Sequence, residues 1–458
     1  MNDLKKQNIE ESLQYQQEAF EKLLANAIFV EDLKKAKKII AEAHIADIAD
    51  FIDKATSTQK EKTLKLIDEK LLSQIIVELD FSVIPIIIEM MEPRKVANII
   101  NIMDTDEAIY VLDSLDDNLR EEIFKFLNKT KQKEITEGFS YPEDSAGRLM
   151  QKKFISVPEY WTVGQTIDFL RNQNNSIEVF YEIFVTNPKF VPVGAVPLSI
   201  LISKPHELLI SNIMTKEIKS LSTDLDDVEV SYLFKKYGFI TMPVVNKNNR
   251  LVGVITLDDV FDVVDKKAEE NIMHMSGLQE DDVYFNVVEI IKSRFPWLLV
   301  SLLATTICSI VVNLYHDTIQ QVVILSAIMP IVAGISGNAG TQTMTVTILS
   351  LAGKELTSMN IMRVIRNQIL SCTCNGLILA FLGGAILLLL HHDLSLSLIF
   401  GLAVTINFAL AGLFGVVVPI VINKFDFDPA IASPVFVTTL TDVLSFAIFL
   451  GLATKLLI

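Results

Sequence analysis

One carboxylate lies deep in an apolar run near the end of the chain. It is Asp442, the last residue of Thr438-Thr439-Leu440-Thr441-Asp442, and it alone interrupts the uncharged stretch from Pro429 to Thr454. A charge at the centre of a membrane-spanning helix costs roughly 2.5 to 3.5 kcal/mol on insertion scales, so such a residue faces a bundle interior or a wet pathway for a functional reason. Thr438 lies one helical turn before Asp442 and shares its face. Hydroxyls and a carboxylate in a row suit a hard, hydrated cation. A second apolar stretch, PIVAGISGNAGTQTMT from Pro330, contains Gly334, Gly337, Asn338, Gly340 and Gln342. Glycines three residues apart let helices approach closely, and amides at positions 338 and 342 share one helical face. One buried carboxylate per subunit supplies one negative charge. A twofold dimer would place two Asp442 side chains about one axis, enough to balance one divalent cation.

These residues need a membrane to position them, and the composition provides for one. The 458 residues are 50% hydrophobic, with mean hydropathy +0.39 and net charge −16. From Phe295 to Ile458 there are five Lys/Arg and six Asp/Glu, leaving 35 basic and 50 acidic side chains in the first 294 residues. An acidic half of net charge −15 therefore precedes a nearly uncharged apolar half. The acidic surface repels phosphate backbones and argues against a nucleic-acid partner. Cys308, Cys372 and Cys374 all lie in apolar runs and supply no disulfide framework. The opening MNDLKKQNIEESLQYQQEAF is polar and has no apolar signal-peptide core, so the acidic half is expected to stay in the cytoplasm.

Uncharged windows run from Phe295 to His316, Thr318 to Gly353, Asn367 to His392 and Leu394 to Asn423, with the Asp442 window as a fifth. Each covers the roughly 20 residues that a span needs, which predicts five transmembrane helices in contact with lipid. Lys292, Arg294, Lys354, Arg363, Arg366 and Lys424 lie before or between helices on one side, while the opposite loops carry no Lys or Arg. The positive-inside rule then puts the amino-terminal half in the cytoplasm and the carboxyl terminus outside a cell (inner) membrane, with Lys455 dissenting.

In the soluble half a pattern recurs every twelve residues: Ile67-Asp68, Leu79-Asp80, Met91-Glu92, Met103-Asp104, Leu115-Asp116 and Leu127-Asn128. Each apolar residue closes an amphipathic stretch and each polar partner begins a turn, the signature of stacked short helices. Among its acidic members Asp104, Asp106 and Glu107 are candidates for binding cations. From Asp144 short β-branched runs alternate with helices. The order of strand, helix, strand, strand and helix in KYGFITMPVVNKNNRLVGVITLDDV resembles a CBS domain. Its Gly253-x-x-Thr256-x-x-Asp259 resembles that family's nucleotide fingerprint, where the Thr hydroxyl meets a phosphate and the Asp the ribose hydroxyls, so ATP is a candidate ligand. The first such unit, GAVPLSIL, has Pro197 and Ile200 at the corresponding positions. Beyond it, Asp258, Asp262, Asp265 and Glu269 make one acidic helical face next to the membrane half.

Together these features resemble the MgtE family of magnesium channels over essentially the whole chain. HIADIADF, MDTDEAIYVLDSL, YPEDSAGRLM, the second CBS unit, P-x-x-x-G-x-x-G-N-x-G-x-Q, and DPA with TTLTD carry the resemblance. It implies a homodimer with five spans per subunit, a pore on the dimer axis, and cytoplasmic domains that close the pore when internal Mg²⁺ is plentiful. Asp442 falls on the family's pore carboxylate, Asp428 on a second acidic position near the inner mouth, and Gly334, Gly337 and Asn338 on the pore-lining second helix. Asp106, Asp259, Asp262 and Glu270 match its regulatory acids. Gly238, Lys267 and Asn271 stand where acids are typical, and Pro434 falls one residue early.

The fold expected is therefore multidomain: an all-α superhelical region over 1–140, CBS units over 141–207 and 208–262, a connecting helix over 258–285, and an all-α five-span domain over 286–458. The function expected is a Mg²⁺-selective channel or transporter for magnesium uptake. The alternative is a secondary divalent-cation transporter coupled to protons or sodium, with Asp442 as a protonatable carrier. An intramembrane metalloprotease is disfavoured, because there is no HExxH and the six histidines are scattered.

Overall fold

The computed structural model describes residues 17–172, 180–216, 218–278, 287–357, 359–425 and 427–457. They form two compact units, Met1–Val264 and Asp265–Ile458. The end of the expected connecting helix, from 279 to 285, lies outside the described residues.

In the first unit the twelve-residue repeat becomes α1 (Glu69–Val77), α2 (Val83–Glu89), α3 (Pro93–Ile102), α4 (Thr105–Asp113), α5 (Asp117–Phe124) and α6 (Lys129–Phe139). The polar member of each repeat is a helix start. Asp68, Glu92, Asp104, Asp116 and Asn128 are the N-cap residues of α1, α3, α4, α5 and α6. The Asp68 carboxylate accepts from the Leu71 N–H at 2.9 Å and the Asn128 side chain from the Lys131 N–H at 2.8 Å, satisfying amides that a helix start leaves open. Asp80 differs: it accepts from the N–H and hydroxyl of Ser82, at 2.9 and 2.6 Å, and Ser82 precedes α2. The apolar members Ile67, Leu79, Met103, Leu115 and Leu127 are buried in one core that extends from Leu24 to Ile135.

Two small sheets follow. β1 (Ser156–Pro158), β2 (Glu182–Thr186), β3 (Pro192–Pro197) and β4 (Thr215–Lys216) make one, in that order. β5 (Leu221–Ser222), β6 (Thr241–Val245) and β7 (Leu251–Thr256) make the other, with α7 (Asp227–Tyr237) between β5 and β6 and α8 (Leu257–Met275) after β7. That is the strand and helix order expected of the second CBS unit. The two sheets exchange edges. The segment entering the second sheet, β4, pairs with β3 of the first, while Gln151, entering the first, bridges Val254 of β7. Close approach fixes glycine at both crossings: a Cβ on Gly194 would lie 2.7 Å from Met214 Sδ, and one on Gly253 2.6 Å from Met150 Sδ. Gly238, at a position where the family resemblance calls for an acid, has φ +66° and caps α7 with its N–H on Phe234 O at 2.8 Å. A left-handed C-cap favours glycine over any side chain with a Cβ.

The second unit contains α9 (Val287–Leu314), α10 (Leu325–Ala352), α11 (Ile361–His391), α12 (Leu394–Lys424) and α13 (Pro429–Leu456). Among the described residues four of these, Ile290–Leu314, α11, α12 and α13, are long and apolar enough to cross a membrane. The expected second span, α10, has 28 residues, about 42 Å of helix, but lacks the apolarity. An uncharged window is not the same as an apolar one, and Gly, Asn, Gln and Thr fill the middle of α10. Its Ser336, Gly340, Thr343 and Thr347 are buried by neighbouring helices, so protein meets that face, while Asn338, Thr341 and Gln342 are exposed. The helix also begins later than the Thr318 window suggests, after a short separate helix at His316–Gln321.

Candidate functional site

In the membrane unit α10 and α13 cross at small residues. A Cβ on Gly340 would lie 3.1 Å from Thr441 Cγ2 and 3.2 Å from Val437 Cγ1, and one on Gly337 would lie 3.8 Å from Asp442 Oδ1. The two glycines thus bring the carboxylate of α13 against the backbone of α10. Gly334, Asn338 and Thr438 are exposed, while Gly337 and Asp442 are half-buried. The Thr438 hydroxyl donates to Pro434 O at 2.8 Å and keeps lone pairs for another donor or a cation. Asp428 is the N-cap of α13 and accepts from the Ala430 N–H at 2.7 Å. Its other oxygen lies 3.1 Å from His274 Nδ1, at the end of α8. Beside it, Met275 packs on the cluster of Met344, Ile348, Ala430 and Val437. The tail of α8 therefore rests on the ends of α10 and α13.

Glu270 on α8 is paired with Lys267 at 2.9 Å and lies 4.0 Å from Lys266. Its charge is compensated by the chain itself.

The first unit collects the remaining acids. Asp106, in the first turn of α4, is half-buried, and its Oδ1 is covered and has no hydrogen-bond partner among the described residues. Burial pushes its carboxyl well above the usual carboxylate range, and the charges of Asp259, Glu107 and Asp104 push it further. Glu107 is likewise raised by burial, and accepts from the Asp104 N–H at 2.9 Å to complete the capping box of α4. Asp104 in turn pairs with Lys153.

Thr256 and Asp259 stand at the start of α8. Asp259 accepts from the Thr256 hydroxyl at 2.6 Å, the Thr256 N–H at 3.2 Å and Gln151 Nε2 at 3.2 Å. The nucleotide fingerprint is thus also a helix cap, and Gln151 reaches it across the exchanged edge. Pro197, its counterpart in the first CBS unit, caps its helix with no side-chain bond. Burial raises the Asp259 carboxyl to about 6, against the pull of these donors. Asp262 lies near Tyr110, whose hydroxyl is pushed up to about 12 by burial and then by Asp262, Asp80 and Asp53.

The acids thus lie in separate places: Asp106 with Glu107 and Asp259, Asp262 beside Tyr110, Glu270 with Lys267, Asp428 at the start of α13, and Asp442 against Gly337 further along that helix. Among the described residues no three His, Cys, Asp or Glu side chains are arranged to hold a metal ion. Gln151, Asp53 and His274 join these places without having been marked by any sequence motif. Gln151 directly follows YPEDSAGRLM and Asp53 closely follows HIADIADF, but neither motif indicates these contacts.

Comparison with known proteins matches three family profiles. The divalent cation transporter profile of MgtE matches residues 329–452, the MgtE intracellular N domain 43–144, and the CBS domain 210–266. The magnesium transporter MgtE of Bacillus subtilis is 27% identical over 424 residues, covering 92% of this chain and 94% of that protein. The magnesium transporter MgtE of Thermus thermophilus is 31% identical over 320 residues, covering 69% and 71%. A crystal structure of the cytosolic domain of the Mg²⁺ channel MgtE in complex with ATP superposes with a TM-score of 0.51 at 26% identity, covering 53% of this chain and 99% of that one.

Proposed function

Because the chain belongs to the MgtE family of magnesium transporters, and so is a transporter rather than an enzyme, we propose that it conducts Mg²⁺ inward as a twofold dimer with the pore on the axis between subunits. The observation that carries this reading is the approach of Asp442 Oδ1 to within 3.8 Å of the Cβ position at Gly337, beside an uncovered Gly334 and Asn338. Glycine there leaves a carboxylate next to open backbone, the pairing that a hydrated cation needs. Mg²⁺ gives up its waters reluctantly, so two Asp442 carboxylates would hold the hydrated ion through water, with Thr438 adding contacts. Their two charges balance the ion without an additional partner.

In this reading the first unit is cytoplasmic, the carboxyl terminus is outside, and internal Mg²⁺ regulates the pore. Asp106 and Asp259 are two half-buried carboxylates whose protonated forms are favoured by burial and by neighbouring acids. A bound divalent cation would relieve both, so the compact arrangement is favoured by Mg²⁺ through linkage. Asp428, within reach of His274, would couple the tail of α8 to the start of the pore helix. The pairing of Glu270 with Lys267 leaves that part of α8 little need for a cation, which makes the feedback shallow. ATP would bind at Thr256 and Asp259 of the second CBS unit.

The test is Mg²⁺ flux into proteoliposomes. Asp442→Asn keeps the shape and removes both charges from the dimer, and flux should fall to near background. Wild-type flux in that variant would sink the pore assignment. Flux that requires a proton or sodium gradient would favour a coupled carrier instead.

A further inference from the structure

Inside the membrane unit, three buried polar side chains have no hydrogen-bond partner among the described residues. They are Asn407 on α12, at both Oδ1 and Nδ2, and Ser433 and Ser445 on α13. Asn407 is 3% exposed and Ser445 1%. An amide and a hydroxyl left without partners in an apolar interior are strongly disfavoured, so each calls for a group that answers it.

The glycine contacts show what faces Asn407. A Cβ on Gly340 would lie 3.8 Å from Ala411 Cβ, and one on Gly415 would lie 2.7 Å from Thr343 Cβ, so α10 and α12 run side by side in the same direction. Gly340 also meets Val437 and Thr441, whereas the earlier Gly337 meets Asp442, so α13 runs the other way. One turn back from Ala411 on α12 is Asn407. The corresponding step leads to Ser336 on α10 and to Ser445 on α13. Ser336 is fully buried, and its hydroxyl donates to Val332 O at 2.7 Å, leaving its oxygen free to accept.

We propose that Asn407, Ser336 and Ser445 enclose an ordered water inside each subunit, in the layer next to Asp442. The chemistry selects water over an ion. Asn407 presents an unanswered donor and an unanswered acceptor together; a bare cation would serve only Oδ1, and an anion only Nδ2. Water serves both and retains a bond for Ser445, giving the two to four partners that a buried water requires. The step along α10, α12 and α13 brings two serines and one asparagine to this level, with Gly340 and Ala411 on one neighbouring turn and Val332, Ala403 and Phe449 on the other. The site is separate from the pore and does not depend on which ion the pore carries.

The test is thermal unfolding of the full-length protein, with Asn407→Leu and Ser445→Ala made singly and together. Leu has the shape of Asn without its polar atoms. If the layer holds water, Asn407→Leu breaks its network and lowers Tm by roughly 4 °C. Ser445→Ala should then cost little more in the double variant, because the two residues share one ligand. A Tm for Asn407→Leu equal to or above that of the unaltered protein would mean a dry amide and overturn the proposal, as would additive losses. A Tm of the unaltered protein that rises when K⁺ is replaced by Na⁺, and loses that dependence in Asn407→Leu, would overturn it in favour of a monovalent cation. Should the Leu variant fail to assemble, a density map of the unaltered protein fine enough to show solvent decides. A peak within hydrogen-bond reach of Asn407 and Ser445 is expected, and Asn407 bonded to a main-chain carbonyl with no peak overturns the site.

Discussion

Asp259→Asn is expected to flatten the dependence of the first unit's stability on pH. The folded chain raises this carboxyl from 3.8 to about 6, first by burial and then by the charge of Asp258. Between those values the unfolded chain has lost its proton while the folded chain still holds one. Unfolding therefore releases protons, and stability falls as pH rises through the interval. A shift of about two units at about 1.4 kcal/mol each makes the folded state roughly 3 kcal/mol less stable at pH 7 than below pH 4 through this group alone. Asn removes the charge but can still accept from the Thr256 hydroxyl, so most of that slope should vanish. The assay is denaturant unfolding of the full-length protein in detergent and chelator, followed by Trp161 fluorescence in a Trp297→Phe background from pH 4 to pH 7.5. Millimolar-scale Mg²⁺ should flatten the slope of the unaltered protein and leave that of the variant unchanged. Identical slopes for the two proteins in chelator would refute the reasoning, since the buried charge would then be compensated from within the chain.

Gly253→Ala should destabilise the paired sheets by about 1 to 3 kcal/mol, because the new methyl would meet Met150 Sδ at 2.6 Å and Gln151 O at 2.9 Å; equilibrium unfolding checks this, with Gly277→Ala as a control where no atom lies within 4 Å but φ is positive. Arg148→Ala should cost about 2 kcal/mol, since Arg148 holds both Asp113 oxygens, at 3.1 and 2.9 Å, and stacks 4.4 Å from the Phe139 ring centroid; urea unfolding followed by Trp161 fluorescence reads it. Thr256→Val should abolish any heat of ATP binding in calorimetry while shifting Tm downward through loss of the helix cap, and an unchanged heat would remove Thr256 from the nucleotide site. Deleting residues 1–140 should raise Mg²⁺ flux at millimolar-scale internal Mg²⁺, and equal flux at every internal concentration would exclude this region from gating.

The sequence by itself determined the partition into an acidic soluble half and an apolar half, because charge and hydropathy are properties of composition. It also set the helix starts of the repeat: Asp68, Asp104 and Asn128 cap amides within four residues of their own position, and the twelve-residue period puts Glu92 and Asp116 at the same N-cap position. The order of strands and helices around Thr256 was legible for the same reason, since alternation and turn residues are local. Span counting was less secure. Absence of charge marked α10 as a span, yet only tertiary packing reveals that Gly340 and Thr343 are covered by α12 and α13 while Asn338 and Gln342 stay exposed.

Tertiary structure alone decided the long-range meetings. Nothing near Gln151 in the chain indicates that an exchanged sheet edge will carry its amide to Asp259, and no spacing links Asp106 to Asp259. His274 beside Asp428 and the unanswered amide of Asn407 belong to the same class. Periodicity tells which face of an element is buried, whereas the partner on that face is chosen by packing between elements far apart in the chain. Asp442 lies between the two cases: its cost in an apolar helix was visible from composition, but its approach to Gly337 required the crossing of α10 and α13.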